Sequence, residues 1–148
     1  MNVRRVARFA SDKGTVGAYV HFNGKIGVLV AVSGADNDEA RQLGNVLAEH
    51  VAAAAPLGLD KDTVPADVVE RERAIFTDQV RQAGKPEAMI EKIVTGKVEA
   101  YYKDVALLHQ MWVREPKTSI STVIADASKK AGAPLAVTRF VRFQLGQE

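Results

Sequence analysis

The chain contains no cysteine. Without it there can be no disulfide framework, thiolate zinc site or cysteine nucleophile, and a reducing cytosol is the expected location. Charge of one sign is also scarce: the formal net charge is only +2, contributed partly by Arg4, Arg5 and Arg8 near one end and Arg139 and Arg142 near the other. Aromatic residues make up 6% of the chain. Nucleic-acid domains usually concentrate basic residues on one face and add aromatic stacking residues, so this thin excess reads as ordinary solvation and nucleic acid is not an expected partner. No stretch approaches the ~20 apolar residues of a membrane helix, and the basic start is not followed by an apolar run of signal length. Hydrophobic residues make up 47% and charged residues 26% of the 148 positions, a composition that folds and a length that fits one compact domain.

The strongest local signal surrounds Asn23-Gly24, flanked by Val16, Tyr19, Val20, Phe22, Ile26, Val28, Leu29, Val30 and Val32. Asn-Gly between β-forming residues marks a tight hairpin, because the turn needs positive φ, and two antiparallel strands are predicted over 15–22 and 25–33. Val28-Leu29-Val30 does not alternate, so the second strand should be covered on both faces. Cover is expected from a helix over 39–55, with Leu43, Val46, Leu47, His50, Val51 and Ala54 at helical spacing before Pro56. Two charge-rich helical runs, 66–83 and 86–103, flank Gly84-Lys85-Pro86. Their thin stripes (Val69, Phe76 and Val80; Met89, Ile90, Ile93, Val94 and Val98) suit an inserted antiparallel helical hairpin, a coiled-coil arm over 64–104. An apolar loop over 105–113 should pack back under the sheet with Trp112 as its anchor. A short helix over 119–130, stopped by Gly132, and a third strand over 135–145 complete the pattern. The expected fold class is α+β, a three-stranded antiparallel sheet packed against helices.

Catalytic and metal chemistry finds no support. His21, His50 and His109 lie in a strand, a helix and a loop with no sequence neighbour at metal spacing, and no cofactor is implied. Asp36, Asp38 and Glu39 lack the glycine and distal glutamate of a calcium loop, and Gly24-Lys25 lacks the spacing and hydroxyl of a phosphate loop. No serine lies in a nucleophile-elbow context. A protein-binding role, not an enzyme, is expected.

Read together, several ordered motifs resemble the core domain of bacterial elongation factor Ts. Asn2-Val3-Arg4-Arg5-Val6-Ala7 looks like the entry to the C-terminal half of that core, and Gly17-Ala18-Tyr19-Val20-His21 with Gly24-Lys25-Ile26-Gly27-Val28-Leu29-Val30 looks like its first hairpin. Gly84-Lys85-Pro86-Glu87 followed by Ile90-Glu91-Lys92-Ile93-Val94 and Gly96-Lys97-Val98 is similar to the family's coiled-coil turn and second helix. Arg139-Phe140-Val141-Arg142-Phe143 with Leu145-Gly146 resembles its final strand. The family's Thr-Asp-Phe motif and small helical docking domain have no counterpart in these residues, and Gln110-Met111-Trp112-Val113 stands where Gln-Pro-Phe-Val is usual. A fragment of a longer family member is therefore expected.

The resemblance implies a guanine-nucleotide exchange factor that binds elongation factor Tu, and a sheet that pairs with its own copy. His21 matches a family histidine that contacts elongation factor Tu; the bland alternative is a partly buried strand-end histidine. Tyr19, Asn23 and Gly24 adjoin it, and Lys85 and Pro86 on the arm form a second candidate contact. Two rival readings stay open. One is a purely structural dimerisation module. The other is a ribosome- or RNA-associated domain, which would need arginines from both ends on one face.

Overall fold

The computed structural model describes residues 2–147. In chain order the elements are β1 (Gly14–Val20), β2 (Ile26–Ser33), α1 (Asp38–Ala54), α2 (Ala66–Gln82), α3 (Glu87–Val105), a 3-10 turn (Leu107–His109), β3 (Met111–Trp112), β4 (Glu115–Ser119), α4 (Ile120–Ala131) and β5 (Ala136–Gln144). The fold class is α+β, as expected, and the described residues form a three-stranded antiparallel sheet of order β1-β2-β5 and four α-helices. The chain divides into two compact units, Met1–Ala55 with Met111–Glu148, and Pro56–Gln110.

In the first unit β2 is the central strand, and its Val28, Val30 and Val32 are all buried. These share the pleat face that meets α1, whose Leu43, Leu47 and Val51 are also buried. Full burial of each such side chain contributes about 1.5–3 kcal/mol. The helix starts where Asn37 Oδ1 accepts the N–H of Ala40 at 3.1 Å, satisfying one of the orphan donors of the first turn. It ends at Ala55, whose N–H makes the last helical bond, to the Val51 carbonyl, while its left-handed φ of 45° turns the chain out of the helix before Pro56. On the far side of β2, β5 pairs from Ile26↔Gln144 to Ser33↔Ala136, with a register shift at Ala31/Val32 that leaves Thr138 without an opposite partner. Arg142 on β5 donates Nε to the Ala52 carbonyl at 3.2 Å, tying the strand to α1.

The apolar loop expected over 105–113 is not one loop. Val105 ends α3, Leu107–His109 form the 3-10 turn, and Met111–Trp112 pair as β3 with β4 in a second, two-stranded antiparallel sheet that periodicity did not indicate. A two-residue strand is too short to show alternation. Trp112 is half-buried within this small sheet.

The second unit is built on α2 and α3. Val69 and Val80 of α2 and Ile90, Val94 and Val98 of α3 are buried in one cluster with Val64 and Ala106, and Phe76, Ile93 and Tyr102 pack against it. Met89, expected in the stripe, is instead 50% exposed. Exposed ion pairs Arg81–Glu87 at 3.0 Å and Arg73–Glu91 at 3.3 Å link the two helices. At the other end the N–H groups of Leu57, Leu107 and Leu108 donate to Val105, Gly58 and Leu59 carbonyls at 2.8–2.9 Å, so the connector 56–63 is stitched to the chain leaving α3. Lys61 pairs with Glu99 and sits 5.6 Å from the Tyr102 ring centroid. No helix among the described residues is long and apolar enough to cross a membrane.

Candidate protein-binding site

Four of the predicted contact residues lie at one end of the β1–β2 hairpin, Tyr19 near the end of β1 and His21, Asn23 and Gly24 on the turn that joins it to β2. The strand expected to reach residue 22 stops at Val20, because the next residues close the turn. The His21 N–H donates to the Ile26 carbonyl at 2.9 Å, and the Gly24 N–H donates to the His21 carbonyl at 2.8 Å. Asn23 Oδ1 accepts the N–H of Lys25 at 2.9 Å, and Gly24 takes a φ of 68°, a conformation that costs any residue with a Cβ. Every one of these bonds is made within the hairpin, so the turn closes on its own backbone without a partner.

The side chains form a short aromatic ladder. The Tyr19 hydroxyl lies 3.1 Å from His21 Nδ1, and the two ring centroids are 6.1 Å apart. His21 in turn meets Phe22 with centroids 4.4 Å apart and planes tilted by 50°. Tyr19 and His21 are half-buried, whereas Phe22 is 91% exposed. The β-forming character of Phe22 predicts a strand residue; its position directly before Asn-Gly is the feature of the sequence that puts it on the turn. Behind the turn lies an open groove of about 790 Å³ whose lining includes Val3, Arg4, Arg5, Val20, Lys25 and Leu145. Arg5 is held there by stacking 4.8 Å over the Phe143 ring and by donating to the Gln147 carbonyl at 3.3 Å.

Lys85 and Pro86 belong to the other unit, on the turn between α2 and α3, and both are exposed. The Lys85 N–H donates to the Val80 carbonyl at 3.4 Å, and the Pro86 carbonyl accepts from Met89 as α3 begins. Proline is well placed here, because the first helical turn does not use its missing N–H.

His50 has a different environment from His21. It is fully buried on α1, and its Nδ1 accepts the N–H of Val113 at 3.3 Å, a bond that holds the β3–β4 connection to the helix. No group of three or more His, Asp or Glu side chains that could hold a metal ion occurs among the described residues.

A family model described as Elongation factor TS matches residues 1–147. The elongation factor Ts of Magnetococcus marinus is 46% identical over 148 residues, which is 99% of this chain and 49% of that relative. That of Bartonella tribocorum is 43% identical over 153 residues, 99% of this chain and 50% of the relative. That of Clostridium botulinum is 41% identical over 148 residues, with 99% and 49% covered. The chain thus spans about half the length of the curated relatives it matches. Matched along nearly its whole length, the chain belongs to the elongation factor Ts family.

Proposed function

We propose that this chain is a core portion of a guanine-nucleotide exchange factor that binds elongation factor Tu in the cytoplasm and promotes loss of GDP. The observation that carries this reading is the family match across residues 1–147, joined to a rigid hairpin tip that presents the matching histidine, His21. Exchange of this kind needs no bond to be made or broken. A factor that grips elongation factor Tu in a form holding GDP poorly lowers GDP affinity by the same factor by which GDP lowers its own, which is reciprocal linkage. Tyr19, Asn23 and Gly24 shape the first contact; Lys85 and Pro86, at the end of α2 and α3 acting as a coiled-coil arm, provide a second.

A dimerisation role is favoured by one specific observation. The face of the sheet opposite α1 carries an apolar groove of about 220 Å³ whose lining includes Ala18, Val20, Leu29, Val141 and Phe143. A second copy seated on that face would make the chain a homodimer, and a module acting by dimerisation alone is the alternative function.

Stopped-flow release of a fluorescent GDP from elongation factor Tu separates the two. The chain should form the complex yet accelerate release weakly, because the family's Thr-Asp-Phe motif is absent from these residues. Release at the full rate of a complete family member would contradict that limitation, and absence of any complex would leave the dimerisation module as the reading.

A further inference from the structure

Phe22 has no place in the hydrophobic core of the described residues, yet it is held more firmly than an ordinary surface side chain. Its ring packs on His21, 4.4 Å away, and His21 is braced by Tyr19 from behind. The loop that carries it is closed by the His21–Ile26 and Gly24–His21 backbone bonds. A large apolar ring at 91% exposure, on a backbone whose ordering cost has already been met by folding, is the kind of group that dominates a protein interface. Association then desolvates the ring without first having to freeze the loop. The surroundings supply a second requirement. The groove beside the tip has Arg5 and Lys25 among its lining.

We propose that Phe22 is the apolar anchor of the interface with elongation factor Tu, entering an apolar cleft whose rim carries carboxylates that answer Lys25 and Arg5. This rests on the proposed binding of elongation factor Tu and adds to it a residue that sets affinity and a charge pattern that sets orientation. His21 then acts as the wall against which the anchor is braced as well as a contact in its own right.

Titration calorimetry of the full chain against nucleotide-free elongation factor Tu tests this. Phe22→Ala should weaken binding by about tenfold, the usual scale of an interface anchor, and Phe22→Leu should recover most of the loss. Lys25→Glu should also weaken binding, with a loss that shrinks as salt is raised. Thermal melts of the variants should match the unaltered chain, since neither side chain is buried. Binding by Phe22→Ala within twofold of the unaltered chain would overturn the anchor while leaving the functional reading intact. An unaltered chain that does not bind at all would overturn both. If Phe22→Ala binds normally but abolishes self-association in sedimentation, the anchor belongs to a second copy and the assignment to elongation factor Tu is wrong.

Discussion

Gly17 on β1 and Gly44 on α1 meet backbone against backbone. A Cβ added to Gly17 would fall 2.0 Å from the Gly44 carbonyl carbon and 2.2 Å from its oxygen, well inside contact distance. The helix therefore lies closer to the strand than a side chain at position 17 would permit, and this approach seats Leu43 and Leu47 against β2.

Gly17→Ala is accordingly expected to destabilise the chain by about 3 kcal/mol, at the upper end of the cost of overpacking a close contact. Gly27→Ala is the matched control, since nothing lies within 4 Å of its added methyl group. Urea unfolding should show a large fall in midpoint for the first and little change for the second.

His50 and Arg114 both join α1 to the β3–β4 region, through unlike chemistry. Arg114 makes a forked pair with Glu49 at 2.7–3.2 Å, but its side chain is 60% exposed. Its replacement by alanine should cost less than about 1 kcal/mol. His50 is fully buried and accepts the Val113 N–H, so His50→Ala removes packing and an acceptor together and should cost about 3 kcal/mol. Chemical denaturation of the two variants should preserve that order.

Val94 is 1% exposed in the cluster between α2 and α3. Truncation to alanine removes about 2 kcal/mol of burial and cavity energy. Met89→Ala, five residues earlier at an exposed position, should be close to neutral. Helicity lost on heating, followed by circular dichroism, reports both.

The Glu99 carboxyl lies below its ordinary value, chiefly because it accepts a hydrogen bond from Lys61, against a smaller opposing effect of burial. A lowered folded value means the stabilisation is present at pH above the ordinary carboxylate range and is lost as pH falls through the lowered value. Glu99→Gln should flatten the acid limb of the stability profile slightly and leave the alkaline side unchanged. The effect is small because the pair is exposed. Melting temperatures across the acid range, with and without the substitution, check it.

How much of this fold can be read from residues alone depends on whether a feature is punctuated. Asn23-Gly24, Pro56 and Gly132 mark the ends of elements chemically, and the strands and helices they bound fall within one or two residues of expectation. The β3–β4 pair carries no such mark, because two residues cannot alternate and Pro116 within β4 argues against a strand. The register shift that leaves Thr138 unpaired is equally silent in sequence, since no glycine or proline adjoins Ala31, Val32 or Thr138 to mark it. At the candidate site the same contrast holds. Gly24 was legible because its conformation demands glycine, whereas the exposure of Phe22 follows from where the turn closes, a backbone property that its β-forming identity concealed.

The most direct test of the whole account is the affinity of the chain for nucleotide-free elongation factor Tu, measured by calorimetry beside its His21→Ala variant. A saturable complex that His21→Ala weakens without lowering the melting temperature is the predicted result. Equal affinity for the two chains would contradict the placing of the interface on the β1–β2 turn, and no heat of binding from either would contradict the proposed partnership itself.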